Sequence, residues 1–94
     1  MTPKKLAKVQ QEWQELRRKG GVKSTELQSL AKKLRRRRLN RGKEPTWVSE
    51  VFPDLRPLSI PDHPGDLNKF TAAGILSQLD EDIERFKQAL GLGE

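Results

Sequence analysis

The chain has 94 residues, of which 33% are hydrophobic and 34% are charged, and its formal net charge is +6. This length gives one small domain with a thin core, and the absence of cysteine excludes disulfides and thiolate chemistry. A single histidine leaves too few ligands for a zinc site, so we predict no metal and no other cofactor. No apolar run is long enough to cross a membrane and no apolar signal region follows the first residues, which favours a protein of the cytoplasm without membrane contact.

Charge is divided unevenly along the chain. Residues 1–43 hold 15 Lys and Arg against 3 Asp and Glu, a net of +12, whereas residues 44–94 hold 4 against 10, a net of −6. A strongly basic half suits an acidic partner such as RNA, DNA or an anionic lipid surface. The acidic half can either fold back on the basic half or repel polyanions that are not its partner.

A first amphipathic helix is predicted from the cap at Thr2, with Pro3 in the first helical position, to the glycine pair at 20–21. Its apolar stripe has helical spacing and consists of Leu6, Val9, Trp13 and Leu16. Trp13 can in principle stack on a nucleic-acid base, but its place in the stripe favours the core.

A second amphipathic helix is predicted to begin at the cap Ser24, with Glu26 favourably placed in its first turn. Its apolar stripe consists of Leu27, Leu30, Ala31 and Leu34. The cations that follow suit the negative end of the helix dipole, so part of the basic character has a purely structural explanation.

The stretch 35–43 is the most basic part of the chain. Six of its nine residues are cations, namely Arg35, Arg36, Arg37, Arg38, Arg41 and Lys43. Positive charges this close repel one another, and a bound polyanion relieves that repulsion. We therefore predict that these six side chains bind RNA. The alternative is that they form a solvated surface or a connector.

The middle of the chain predicts three short strands. Residues 36–41 can form the first, with Leu39 as its one inward candidate. Residues 46–52 are rich in β-branched and aromatic side chains and predict the second. Residues 55–60 predict a third, in which Pro57 requires an edge position or pairing over the second half only.

A loop with two prolines and a glycine, 61–66, leads to a last helix that begins near Asn68 or Thr71 and stops at Gly91. The middle of this helix is strongly acidic, with Asp80, Glu81, Asp82 and Glu84. The order helix, helix, strand, strand, strand, helix predicts a small α+β domain. In it, a three-stranded antiparallel sheet is covered by helices on one face.

Several segments between residues 23 and 79 are similar to parts of one known protein family. They are KSTEL (23–27) with LAKKL (30–34), RGK (41–43), and LSIPDHPGDL (58–67) followed by Thr71, Ile75 and Leu76. On these segments, residues 23–79 resemble the HicA family of bacterial toxins. The first pair is similar to that family's opening helix, and RGK lies where the family has a basic, glycine-containing approach to its second strand. The last piece is the most specific and is similar to the family's third strand, loop and final helix.

This resemblance implies a fold similar to a double-stranded-RNA-binding domain over 22–94, with 1–21 as an added amphipathic helix. It also implies an mRNA interferase of a type II toxin–antitoxin module, which is a metal-independent endoribonuclease silenced by a HicB-like antitoxin. The stripe of the first helix needs a surface to bury against. That surface can be its own domain, a second copy in a homo-oligomer, or the antitoxin.

One departure from the family concerns its catalytic histidine, which lies at the start of the second strand in a Gly-Ser-His type motif. Here that place reads KEPTW (43–47), without histidine. His63 is the only imidazole of the chain, and we take it as the catalytic candidate, a general acid or base for a ribose 2′-hydroxyl oriented by Glu44 or Asp62. The alternative is that His63 is a loop residue whose imidazole is hydrogen-bonded to a neighbouring carbonyl.

Trp47 follows the cations Arg41 and Lys43, so its ring can act as a stacking platform for RNA bases. Those two cations can also stabilise charge that develops on a phosphate. The alternative places Trp47 in the core between sheet and helices. Alternation does not decide between the two, because both faces of the predicted second strand are mixed.

The predicted function is therefore RNA binding by a HicA-like toxin that cleaves mRNA. Two alternatives stay open because the motif histidine is missing. One is a non-catalytic RNA-binding module of the same fold. The other is a protein-interaction module whose apolar stripes assemble with partner helices, while the arginines form a solvated surface.

Overall fold

A computed structural model describes residues 1–40 and 45–91. These residues form three helices and three strands: α1 Pro3–Arg18, α2 Ser24–Lys33, β1 Arg36–Leu39, β2 Thr46–Ser49, β3 Leu58–Ser59 and α3 Lys69–Ala89. The predicted α+β class and order of elements are confirmed.

The three strands form one antiparallel sheet in the order β1-β2-β3, so β1 and β3 are its edges. Arg36 lies opposite Ser49 and Arg38 opposite Trp47, and Trp47 is in turn opposite Leu58. Residues directly opposite each other share a face of the sheet. This face packs on the helices, which gives the predicted arrangement of a sheet covered on one side.

Helix α1 starts as the sequence predicts. The backbone N–H of Lys5 donates to Thr2 Oγ1 at 3.2 Å, and Pro3 occupies the first turn. Its stripe is buried against α3, and the indole N–H of Trp13 donates to the carbonyl of Leu76 at 2.7 Å. The prediction that Trp13 packs with the core is confirmed.

Helix α2 is capped one residue earlier than predicted. Lys23 is its N-cap, and the Lys23 N–H donates to Glu26 Oε1 at 3.0 Å. Ser24 is instead the first helical residue, buried, and its Oγ accepts from Gln28 Nε2 at 2.8 Å. After α2 the backbone turns sharply at Arg35, whose φ of 66° lies in the left-handed region.

One side chain of strand β1 points in a direction that the sequence did not predict. Its inward side chain is Arg36, not Leu39, since Arg36 is buried and Leu39 lies on the opposite face with Arg37. The reason is that α3 supplies a buried carboxylate for Arg36, as described below. In β3 only Leu58 and Ser59 pair with β2, which confirms the expectation that Pro57 limits pairing to the second half of this segment.

Helix α3 begins after Asn68, whose side chain accepts from the Phe70 N–H at 2.8 Å. Its apolar side chains complete a single core with the sheet and the other two helices. Helix α1 contributes Leu6, Val9 and Leu16 to the same core, so the N-terminal segment is packed on the rest of the fold. Among the described helices none is long and apolar enough to span a membrane.

Candidate functional site

Arg36, one of the predicted RNA-binding residues, is buried in the structure. It is 4% exposed and forms a bidentate pair with Asp82, which is fully buried, at 2.7 Å (Nε to Oδ2) and 2.9 Å (Nη2 to Oδ1). Its Nη1 donates to the carbonyls of Trp47 and Arg56. Arg36 therefore forms a core ion pair that joins β1 to α3, and its guanidinium does not lie on the surface of this fold, where the predicted contact with RNA requires it.

Trp47, which was also predicted to bind RNA, is buried as well. Its ring is 1% exposed, between the sheet and the helices, so no face is available for a base to stack on. The ammonium of Lys32 lies over the ring, with Nζ 5.9 Å from the centroid. Of the two interpretations that the sequence left open, the core position is the one observed. In the described part of the chain its indole N–H has no hydrogen-bond partner.

Arg37 and Arg38 lie on the surface, and both have carboxylate partners from the acidic half. Arg37 Nε is 3.6 Å from Glu50 Oε2, and Arg38 Nη2 donates to Asp62 Oδ2 at 2.8 Å. The acidic half therefore folds back on the basic half at these positions. Because all four side chains are well exposed, such pairs contribute little stability, and a polyanion can replace the carboxylates.

Arg35 is exposed and has no carboxylate within 4 Å among the described residues. Arg41 and Lys43, the other two predicted RNA-binding cations, lie outside the described residues, as does Glu44. The arginine run is thus divided into three environments: Arg36 in the core, Arg37 and Arg38 in surface ion pairs, and Arg35 unpaired in the described chain.

His63 is exposed in the loop between β3 and α3. Its Nδ1 lies 3.3 Å from the Gly65 N–H, which donates to it in the neutral tautomer with a bare Nδ1. The carboxylate of Asp62 is engaged by Gln28 and Arg38 instead. No described carboxylate orients the imidazole, and the catalytic role of His63 stays a prediction.

The acidic segment of α3 is not one continuous surface patch. Asp82 faces the core and pairs with Arg36, whereas Glu81 and Glu84 are exposed. Within the described chain, no three His, Asp or Glu side chains lie together where they could hold a metal ion.

Sequence reasoning missed a basic groove of about 440 Å³ between α1 and the end of α2, here called the α1–α2 groove. Its lining consists of Met1, Lys5, Lys8, Val9, Glu12, Lys32, Lys33 and Arg35. The signal for the α1 side was present in the sequence, because Lys5 and Lys8 are three apart and share a helix face. What the sequence did not show is that α2 lies beside this face with its own cations.

The described residues form a small α+β protein whose N-terminal half, from α1 to β1, carries many exposed cations. A scan against protein-family models, a search of curated proteins and a search of solved structures found no match to this chain.

Proposed function

We propose that this protein binds RNA through the basic surface of its N-terminal half, without cleaving it. The observation that carries the proposal is that, in residues 1–40, every Lys and Arg except Arg36 is exposed. Most of these cations have no carboxylate within 4 Å in the described chain: Lys4, Lys5, Lys8, Arg17, Arg18, Lys23, Lys32 and Arg35.

Such a surface favours a polyanion for a simple reason. Uncompensated cations that are close together on a small protein repel one another, and binding a phosphate backbone removes that repulsion while it releases condensed counterions from the nucleic acid. The contacts do not depend on base identity, so we expect binding with weak sequence preference.

The test is RNA binding measured by fluorescence anisotropy over a range of salt concentrations. We expect affinity to fall linearly on a log–log plot, with a slope of about −0.7 for every phosphate contact made by a single strand. We also expect the labelled RNA to stay intact after long incubation at high protein concentration. Negligible RNA affinity at physiological salt would overturn the proposal.

A second candidate is the HicA-like mRNA interferase, acting in the cytoplasm under a HicB-like antitoxin. Two observations favour it. The elements from α2 to α3 follow the order helix, three strands, helix that the resemblance implies, and His63 is exposed where a substrate can reach it. In this function His63 moves the proton of a ribose 2′-hydroxyl, and exposed cations hold the phosphate.

The two candidates separate in one experiment. Induced expression of the interferase should arrest growth and degrade transcripts, and the His63→Ala variant should do neither while it still binds RNA. If induction leaves growth and transcripts intact, the interferase is excluded. If both proteins degrade RNA equally, His63 is not the catalytic residue.

A further inference from the structure

We infer that the α1–α2 groove holds the phosphate backbone of a single nucleic-acid strand. This inference rests on the proposed function, and it places the RNA contact in the α1–α2 groove and not on β1. The groove brings together cations from two helices that are far apart in sequence: Lys5 and Lys8 from α1, and Lys32, Lys33 and Arg35 from the end of α2 and the turn after it.

Charge compensation distinguishes this groove from β1. In β1, Arg36 is buried with Asp82, and Arg37 and Arg38 face Glu50 and Asp62. In the groove only Lys33 has a carboxylate partner, Glu12, at 2.7 Å among the described residues. The remaining four cations, Lys5, Lys8, Lys32 and Arg35, are exposed and have no carboxylate within 4 Å in the described chain, so an added anion meets uncompensated positive charge in this groove.

Arg35 adds a second, independent observation. A left-handed residue at the end of a helix is usually glycine, because a side chain there crowds its own backbone. Here φ is 66° at Arg35, which lines the groove. A non-glycine residue in this region costs backbone strain, and such strain is often found at functional positions. Arginine at this position places a guanidinium at the rim, where it can contact a phosphate with two N–H groups.

The shape of the groove favours one strand over a duplex. Met1 and Val9 are part of its lining, and the half-buried Met1 side chain gives the space between the cations an apolar component. A single strand can lay its phosphates along the cations and turn a ribose or base toward this apolar surface. The surface of a duplex is a rigid array of phosphates, so it touches the cations but leaves the apolar part uncovered.

Two charge-matched double variants test the location. Lys5→Gln/Lys8→Gln removes two groove cations, and Arg37→Gln/Arg38→Gln removes two from β1. The probe is a labelled single-stranded RNA oligonucleotide of mixed sequence, titrated at several salt concentrations, with a duplex of the same length as a second probe. Melting curves of all three proteins establish that each variant is folded.

We expect the groove variant to lose about tenfold in single-strand affinity and to reduce the log–log salt slope by roughly 1.4, which corresponds to two lost phosphate contacts. The β1 variant should change both quantities much less, and the wild type should prefer the single strand. If the β1 variant weakens binding and the groove variant does not, the location is wrong while the proposed function stands. If the wild type binds neither RNA probe, the proposed function itself fails.

Arg35 provides a further control that separates charge from conformation. Arg35→Lys keeps the charge and should bind RNA within a few-fold of the wild type, while Arg35→Gly should bind several-fold more weakly although its backbone is relaxed. Equal binding by all three proteins would remove Arg35 from the site. Binding to vesicles with anionic headgroups is measured as well. If the protein binds these vesicles in preference to RNA, the groove recognises a membrane surface and the inference is overturned.

Discussion

At the scale of single residues, Arg36 places a guanidinium in the core, where a charge is tolerated only with a full set of partners. Both oxygens of Asp82 and two backbone carbonyls provide that set. The pair joins β1 to α3 and also contacts β2 through the Trp47 carbonyl. Removing one partner leaves a buried charge without compensation, which is far more costly than the loss of a surface pair.

We expect Asp82→Asn to lower the free energy of unfolding by about 3–5 kcal/mol, because Arg36 would remain charged and buried. The measurement is urea denaturation followed by circular dichroism. Glu84→Gln is the matched control on the same helix, since its carboxylate forms an exposed pair with Lys87, and it should change stability by less than about 0.5 kcal/mol. Equal effects of the two variants would show that the buried pair does not hold β1 to α3.

The left-handed Arg35 gives a second prediction. Glycine adopts this backbone conformation without a side-chain clash, so Arg35→Gly should raise the free energy of unfolding by about 1 kcal/mol. Arg37→Gly is the control, because Arg37 lies in β1 without a positive φ and glycine there should lower stability by roughly 0.5–1 kcal/mol. Thermal and urea unfolding of both variants provide the comparison. A loss of stability in Arg35→Gly would mean that the arginine side chain stabilises the fold by more than its backbone strain costs.

At the scale of elements, α2 is held at its start by Glu26. The Lys19 ammonium, which donates to Glu26 at 2.6 Å, and the Lys23 N–H keep the pKa of this carboxyl below its usual range. Its folded-state pKa is thus below the unfolded value. The stabilisation is complete above about pH 5 and is lost as the pH falls below about 4.

Glu26→Gln should therefore be less stable than the wild type by about 0.5 kcal/mol near neutral pH, and this difference should disappear at about pH 3. The measurement is the unfolding free energy of both proteins from pH 7 to pH 3. Glu15→Gln is the control at neutral pH, because this exposed carboxylate of α1 has no cation within 4 Å in the described chain and its removal should change the unfolding free energy little. A difference at Glu26 that stays constant to low pH would contradict the ionic origin of the effect.

Local signals in the sequence predicted some ends of elements, although the N-cap of α2 is Lys23 and not Ser24, and β2 ends at Ser49 and not at residue 52. Thr2, Asn68 and Pro57 act through their own neighbours, so the chemistry of a few residues is enough to place a cap or to limit a strand. Which side chains of β1 point into the core could not be predicted in this way. Arg36 points inward because Asp82, far along the chain, supplies a buried carboxylate. The groove was missed for the same kind of reason, since it exists only once α1 and α2 lie side by side.

At the scale of the whole molecule, uncompensated positive charge opposes compaction of the basic half. We expect the free energy of unfolding to rise when sodium chloride is increased from about 0.05 M to about 0.5 M, because the salt screens repulsion between exposed cations. The Lys5→Gln/Lys8→Gln variant should be more stable than the wild type at low salt and equal to it at high salt. A wild type that loses stability as salt is added would show that attractive ion pairs outweigh the repulsion.

Strand β1 is an edge of the sheet, and its outer backbone groups are open to pairing with another chain. The exposed charged side chains of Arg37 and Arg38 beside that edge disfavour pairing with a second edge of the same kind. A chain in which both are neutralised should precipitate at a lower temperature on heating.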